Sequence, residues 1–290
     1  MKGVVQGRSI CQLGIVTVYV LGCCLVFASE TLLRKSGFVS TPQIFREFGL
    51  VPQDWQHYAP DFIAFINNLC RFYLPVIFGV PLVFLLHYIT IGPKEFDHSG
   101  KKVWFYSSLV RFLHWLCAVF FTLLVITGLM IVFAKLFGGG AGILWARTVH
   151  LGCAYGFAVT ATPLFFIWIR DMFPAPYDLL WLAKAGGYLT KKTVEVPAGK
   201  FNFGQKIWFW LAFVGGGIMF YTGYYVSTMA GQQPEMAGFI KLHLILGLFI
   251  VAFFVTHLYM SLFVVKGSLK SMLSGYKWEE EVRILHGRML

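Results

Sequence analysis

Phe239-Ile-Lys-Leu-His-Leu-Ile-Leu-Gly-Leu-Phe-Ile-Val-Ala-Phe-Phe-Val-Thr-His-Leu-Tyr-Met-Ser-Leu-Phe-Val-Val265 is an almost wholly apolar run holding one lysine, Lys241, and two histidines, His243 and His257. A helix needs about 20 residues to cross the hydrocarbon core of a bilayer, and this run is long enough. Ionisable side chains inside such a helix are costly and mark function by default. His243 and His257 stand fourteen positions apart. In an α-helix that spacing is a rise of about 21 Å and an angular offset of about 40°. One helix therefore turns two imidazoles to the same side, one near each membrane surface.

Composition extends the membrane reading to the whole chain. The 290 residues are 58% hydrophobic and 13% charged, about half the charged share of a soluble domain. A soluble enzyme, a disordered tail and a secreted disulfide scaffold are excluded. The net charge of +11 suggests nucleic acid at first sight, but Lys and Arg sit at the ends of apolar runs. That placement is topology information, and no nucleic-acid partner is expected. The six cysteines (Cys11, Cys23, Cys24, Cys70, Cys117, Cys153) all lie within or beside apolar runs, and no C-x-x-C-H motif for covalent haem occurs. They read as small apolar residues.

Six apolar runs are candidate spans: Ile10–Phe27, Leu69–Ile91, Val110–Phe133, Thr148–Trp168, Ile207–Val226 and Phe239–Val265. The fold class is all-α, a polytopic membrane protein. If the spans alternate, fifteen basic residues share one side (Lys94, Lys101, Lys102, Arg111, Arg170, Lys184, Lys191, Lys192, Lys200, Lys206, Lys266, Lys270, Lys277, Arg283, Arg288). Seven share the other (Arg34, Lys35, Arg46, Arg71, Lys135, Arg147, Lys241). The richer side is cytoplasmic by the positive-inside rule, which puts the C-terminus there. Residues 1–28 read as a signal peptide ending Val26-Phe27-Ala28, or as an uncleaved anchor, behind a basic start at Lys2 and Arg8. Residues 29–68 follow as an extracytoplasmic segment. An added span and loop occupy 69–103, a four-helix domain 104–273, and a cytoplasmic tail 274–290.

Of the eight histidines, His57, His98 and His286 fall in loops or the tail and call for no explanation. Four of the other five pair by depth. His150 meets His243 at the outer level, and His114 meets His257 at the inner level. Two bis-histidine sites about 20 Å apart suit two b-type haems carrying electrons across the bilayer. Gly128, fourteen residues after His114, and Gly223 and Gly247 offer gaps for a flat macrocycle, with close helix packing as the other use of such glycines. His87 has no partner at its depth and reads as structural. Arg111 and Lys206 at the inner level, and Arg147 and Lys241 at the outer, could meet haem propionates or anchor to lipid headgroups, the second being the favoured reading for Lys206.

The sequence resembles the cytochrome b (gamma) subunit of respiratory formate dehydrogenases. The likeness rests on Arg111-Phe-Leu-His-Trp115, Val149-His-Leu-Gly152, Gly199-Lys-Phe-Asn-Phe-Gly-Gln-Lys-Ile-Trp-Phe-Trp210, His257-Leu-Tyr-Met260 and Lys266-Gly-Ser-Leu-Lys270 through Gly275. It covers roughly Trp104 to Lys277. The resemblance implies a four-helix dihaem cytochrome b bundle with ligand pairs His150/His243 and His114/His257. It also implies a quinone site, for menaquinone or ubiquinone, at the cytoplasmic haem, where Asn202 and Gly204 match quinone-contact positions. Its implied partners are an iron–sulfur (beta) subunit and a molybdenum or tungsten catalytic (alpha) subunit. The N-terminal leader and extra span set this chain apart from shorter members.

The function expected is that of the electron-transfer subunit of a formate:quinone oxidoreductase in a bacterial inner membrane. Electrons would pass from an extracytoplasmic iron–sulfur partner through two haems to the quinone. The same device serving a hydrogenase or a sulfur-compound reductase is an alternative. A haem-free transporter using its histidines is a more distant one, disfavoured because the spans lack acidic residues to couple ions.

Overall fold

The computed structural model describes residues 55–228 and 235–289. The expected leader 1–28 with Cys11, Cys23 and Cys24, the first candidate span, and the segment from Ser29 to Asp54 lie outside the described residues. Five helices are long and apolar enough to cross a membrane. They are α1 (residues 55–90), α2 (Ser108–Val132), α3 (Gly140–Trp168), α5 (Phe203–Thr228) and α6 (235–264). Shorter pieces are α4 (Tyr177–Ala183), α7 (Ser268–Ser274) and α8 (Glu279–Leu285).

The signals that start and stop these helices are local. Ser107 caps α2, its hydroxyl accepting from Val110 N at 3.3 Å, which satisfies one of the first-turn N–H groups a helix leaves open. The connection from α2 to α3 passes through Gly138 and Gly139 with φ of 81° and 62°, positive values that glycine takes without strain. This glycine run was expected to be a loop ahead of a span at Thr148. The helix instead begins inside it, at Gly140. α1 likewise starts at Trp55 rather than Leu69, so His57 is helical, not in a loop. At 1.5 Å per residue α1 is about 50 Å long and exceeds the bilayer core. Its polar residues Asp61, Asn67 and Asn68 hid its first turns in the sequence.

α2 packs chiefly on α3, and α5 on α6, while α1 lies against α6. α1 is pinned at two depths. Tyr73 donates to the Leu244 carbonyl at 2.6 Å, and His87 Nε2 lies 2.8 Å from the Tyr188 carbonyl. A carbonyl only accepts, so His87 carries its proton on Nε2 and its Nδ1 accepts from the Tyr259 hydroxyl at 2.6 Å. Both ring nitrogens are used, which agrees with reading His87 as structural.

One end of the bundle carries a folded cap rather than loose loops. Strand β1 (Lys102–Trp104) pairs antiparallel with β2 (Tyr276–Trp278), a small addition to the all-α expectation. Lys94 N bonds the Val264 carbonyl at 2.8 Å. The stretch after α8 is tied to the α4–α5 connection by Arg288 N on the Ala198 carbonyl at 3.0 Å and His286 Nδ1 on the Gly199 carbonyl at 3.0 Å. His286 was expected to be an unremarkable tail residue, yet it is 2% exposed and packs on Phe105. Glu281 is equally buried and ion-paired with Lys277 one turn away. Burial, with Lys277 beside it, depresses the His286 pKa to about 3. Burial and the Glu281 carboxylate push the Tyr106 and Tyr188 phenols up.

Candidate functional site

At the end of the bundle away from the cap, His150 of α3 and His243 of α6 face each other with ring centroids 6.3 Å apart. Each ring is held by a threonine on the neighbouring helix. Thr127 Oγ1 of α2 lies 2.9 Å from His150 Nδ1, and Thr222 Oγ1 of α5 lies 2.9 Å from His243 Nδ1. The hydroxyl protons are already committed, Thr127 to the Leu123 carbonyl at 2.6 Å and Thr222 to the Ile218 carbonyl at 2.9 Å. A hydroxyl has one proton, so each imidazole must be the donor to its threonine. A neutral imidazole has one N–H, and with it on Nδ1 the Nε2 lone pair is free. That is the form in which histidine ligates iron, its other nitrogen fixed by a hydrogen bond.

A glycine follows each threonine. A Cβ at Gly128 would stand 3.3 Å from His150 Cε1, and one at Gly223 would stand 3.3 Å from His243 Cε1. Both contacts are tighter than ordinary packing, so a side chain here would displace the imidazole. The Thr-Gly pair thus recurs, on α2 for the α3 histidine and on α5 for the α6 histidine.

Near the cap, His114 of α2 and His257 of α6 approach with centroids 6.4 Å apart. The Trp208 indole stacks on His257 at 5.3 Å. His114 Nδ1 is buried without a hydrogen-bond partner. Between the two pairs lies an apolar layer of Phe121, Ile250 and Phe254, with Phe157 and Trp208 packed on it. Two imidazoles per site, with the other positions open, fit an iron whose remaining coordination a porphyrin supplies. Among the described residues no three His, Cys, Asp or Glu side chains converge, so the donor set suits haem rather than a bare ion.

Residues 105–275 match the prokaryotic cytochrome b561 family. The chain belongs to that family. It is also similar to the "Formate dehydrogenase, nitrate-inducible, cytochrome b556(Fdn) subunit" of Escherichia coli K12, at 25% identity over 57% of this chain and 79% of the relative. The proteins of the same name from Escherichia coli O157:H7 and Shigella flexneri match to the same degree. Membership of the cytochrome b561 family implies b-type haem and makes the chain an integral membrane electron-transfer protein. All four paired histidines lie in the matched stretch; α1 with His87, and α8 with His286, lie outside it.

The other expected site residues in this cytochrome b561 chain are placed as follows. Asn202 caps α5, its Oδ1 accepting from Gln205 N at 3.0 Å while Gln205 Oε1 accepts from Asn202 N at 2.9 Å. This reciprocal box satisfies two N–H groups of the helix start. Gly204 faces the Trp181 indole, whose Cη2 would be 3.2 Å from a Cβ there. Arg111 grips the end of α7 through the Leu273 carbonyl and also bonds Ser108 Oγ at 3.1 Å, leaving its Nε buried without a partner. Lys206 departs from expectation. It is buried and paired with Asp178 of α4 at 2.8 Å, so its charge is directed at neither a headgroup nor a propionate. Lys241 lies over the Phe65 ring at 5.0 Å. Gly247 takes the Tyr73 hydroxyl, 3.0 Å from a Cβ there, rather than a macrocycle.

Sequence reasoning missed Thr127, Thr222 and Asp178. The repeated Thr-Gly pair at 127–128 and 222–223 was the signal for the two threonines. Asp178 had none, since its partner stands 28 residues away.

Proposed function

We propose that this chain is the membrane cytochrome b subunit of a formate dehydrogenase complex. His150 and His243 would hold one b haem and His114 and His257 a second, with Gly128 and Gly223 leaving room for the rings. Bound there, the haems supply one-electron carriers at either end of the bundle. The observation that carries the reading is that Thr127 and Thr222 occupy Nδ1 of the facing His150 and His243, an arrangement that leaves both Nε2 atoms available to a metal.

The likeness to the formate dehydrogenase cytochrome b556 subunits extends the proposal to partners. An extracytoplasmic iron–sulfur subunit, reduced by a molybdenum or tungsten catalytic subunit, would donate electrons. They would leave to menaquinone or ubiquinone at the cap end, beside Asn202, Gly204 and His257. The excess of Lys and Arg on the cap side supports a cytoplasmic cap and C-terminus in a bacterial inner membrane. Arg111 remains a candidate neighbour of a cap-end propionate through its unpartnered Nε.

The test is a dithionite-reduced minus oxidised spectrum of the purified chain, expected to give b-type bands and two haems per chain. With its natural partners, formate should then reduce quinone. Haem-free protein would end the reading, and reduction by hydrogen in place of formate would change the donor.

A further inference from the structure

Two buried polar atoms on one face of α4 lack any partner: Asp178 Oδ1, an acceptor, and Trp181 Nε1, a donor. The residues are 2% and 9% exposed and stand three apart, so they are neighbours on the helix surface. Both press on the first turn of α5. Asp178 does so through Lys206, and Trp181 through Gly204, beside the capping residue Asn202. The other Asp178 oxygen is spent on Lys206 Nζ and on Ala175 N, at 2.8 and 2.7 Å. The charged group facing the carboxylate is Lys206, whose ammonium also lies over the Tyr177 ring at 5.1 Å.

A buried donor or acceptor left unsatisfied is costly, and two such atoms one helical turn apart point to a shared partner. That partner must accept from an N–H and donate to a carboxylate. A quinone carbonyl cannot donate, and an aliphatic group can do neither. A hydroxyl-bearing oxygen does both.

We propose that Asp178 and Trp181 form a binding site for one hydroxyl oxygen, supplied by a water or by a hydroquinone headgroup lying against α5. The site rests on the quinone reading above and deepens it. A quinone that takes two electrons takes two protons with them. An oxygen held here stands between the cap and the α5 start where the headgroup is placed. A buried ion pair rarely adds stability over apolar packing, and the Asp178–Lys206 pair has this use instead.

The experiment is cryo-electron microscopy of the full, haem-loaded chain in lipid nanodiscs, with and without menadiol as the hydroquinone probe. A density peak bridging Trp181 and Asp178 in both maps identifies a water. A peak only with menadiol, continuous with its ring, identifies the headgroup. Trp181→Phe keeps the ring and the ion pair and removes only the N–H. It should abolish the peak and, where the peak is the headgroup, weaken menadiol binding about fivefold, the size of one hydrogen bond, with the haem spectrum unchanged. No density in either map, a peak that survives in Trp181→Phe, or a menadiol-dependent peak whose menadiol affinity Trp181→Phe leaves unaltered overturns the site while leaving the haem and quinone reading intact. A peak in a chain that binds no menadiol at all keeps the site as a water site and overturns the quinone reading.

Discussion

Thr222 holds the proton of His243 Nδ1 in place, and valine matches its shape without the hydroxyl. Thr222→Val should keep the helix packing but release the ring. Losing such an orienting hydrogen bond typically weakens metal binding about 10–100-fold, so haem retention during dilution should fall by that order. Gly223→Ala should do at least as much harm by contact alone, since its Cβ would meet His243 Cε1 at 3.3 Å. His150→Ala or His243→Ala should remove one haem, and His114→Ala only the other. The reduced spectrum counts them, and loss of a haem from His87→Ala would contradict the structural role of that residue. The paired histidines were legible because ionisable groups in apolar helices stand out by spacing alone. Their threonines were not, because a hydroxyl in a span satisfies its own helix carbonyl and gives no sign of a partner on the next helix.

α1 is clamped to α6 near both histidine pairs, by Tyr73 on the carbonyl of Leu244, the residue after His243, and by His87 on Tyr259, two residues after His257. His87→Phe would strand the Tyr259 hydroxyl and the Tyr188 carbonyl, each worth about 1–3 kcal/mol when buried without a partner. The expected result is a lower unfolding temperature and faster cleavage near α1, with both haems kept. At this scale the five described spans were readable, since hydropathy needs only composition. The starts of α1 and α3 were not. Phe62 of α1 buries itself against Met236, a contact between distant residues, and the glycines that open α3 look like a loop until the chain is folded.

The cap contains an acid-sensitive contact. His286 is neutral in the fold with its pKa near 3, against 6.5 for an ordinary histidine. Its contribution is complete above pH 6.5 and is lost as pH falls toward 3, because the unfolded tail gains a proton first. Hydrogen exchange at residues 276–289 should therefore accelerate on acidification through that window, and His286→Gln should flatten the response. The cap was hidden in the sequence, since β1 pairs with β2 across more than half the chain. Orientation is checked separately. Reporter fusions after Lys192 and after Gly275 should read cytoplasmic, and one at Gly140 should read outside. A reversed result at one of them would break the pairing of the histidines by depth, and reversal at all three would turn the proposed electron path around.

The unequal support of the two histidine pairs would set a slope for electrons along the proposed two-haem path. His150 and His243 each give up an N–H to a threonine, which would make their imidazoles richer donors to a bound iron and favour its oxidised state. His114 has no such partner. The haem at the far end should therefore have the lower reduction potential, and Thr222→Val should raise it in a redox titration. An electron entering away from the cap would run downhill toward it, so the fold itself would favour one direction of current before any substrate is bound.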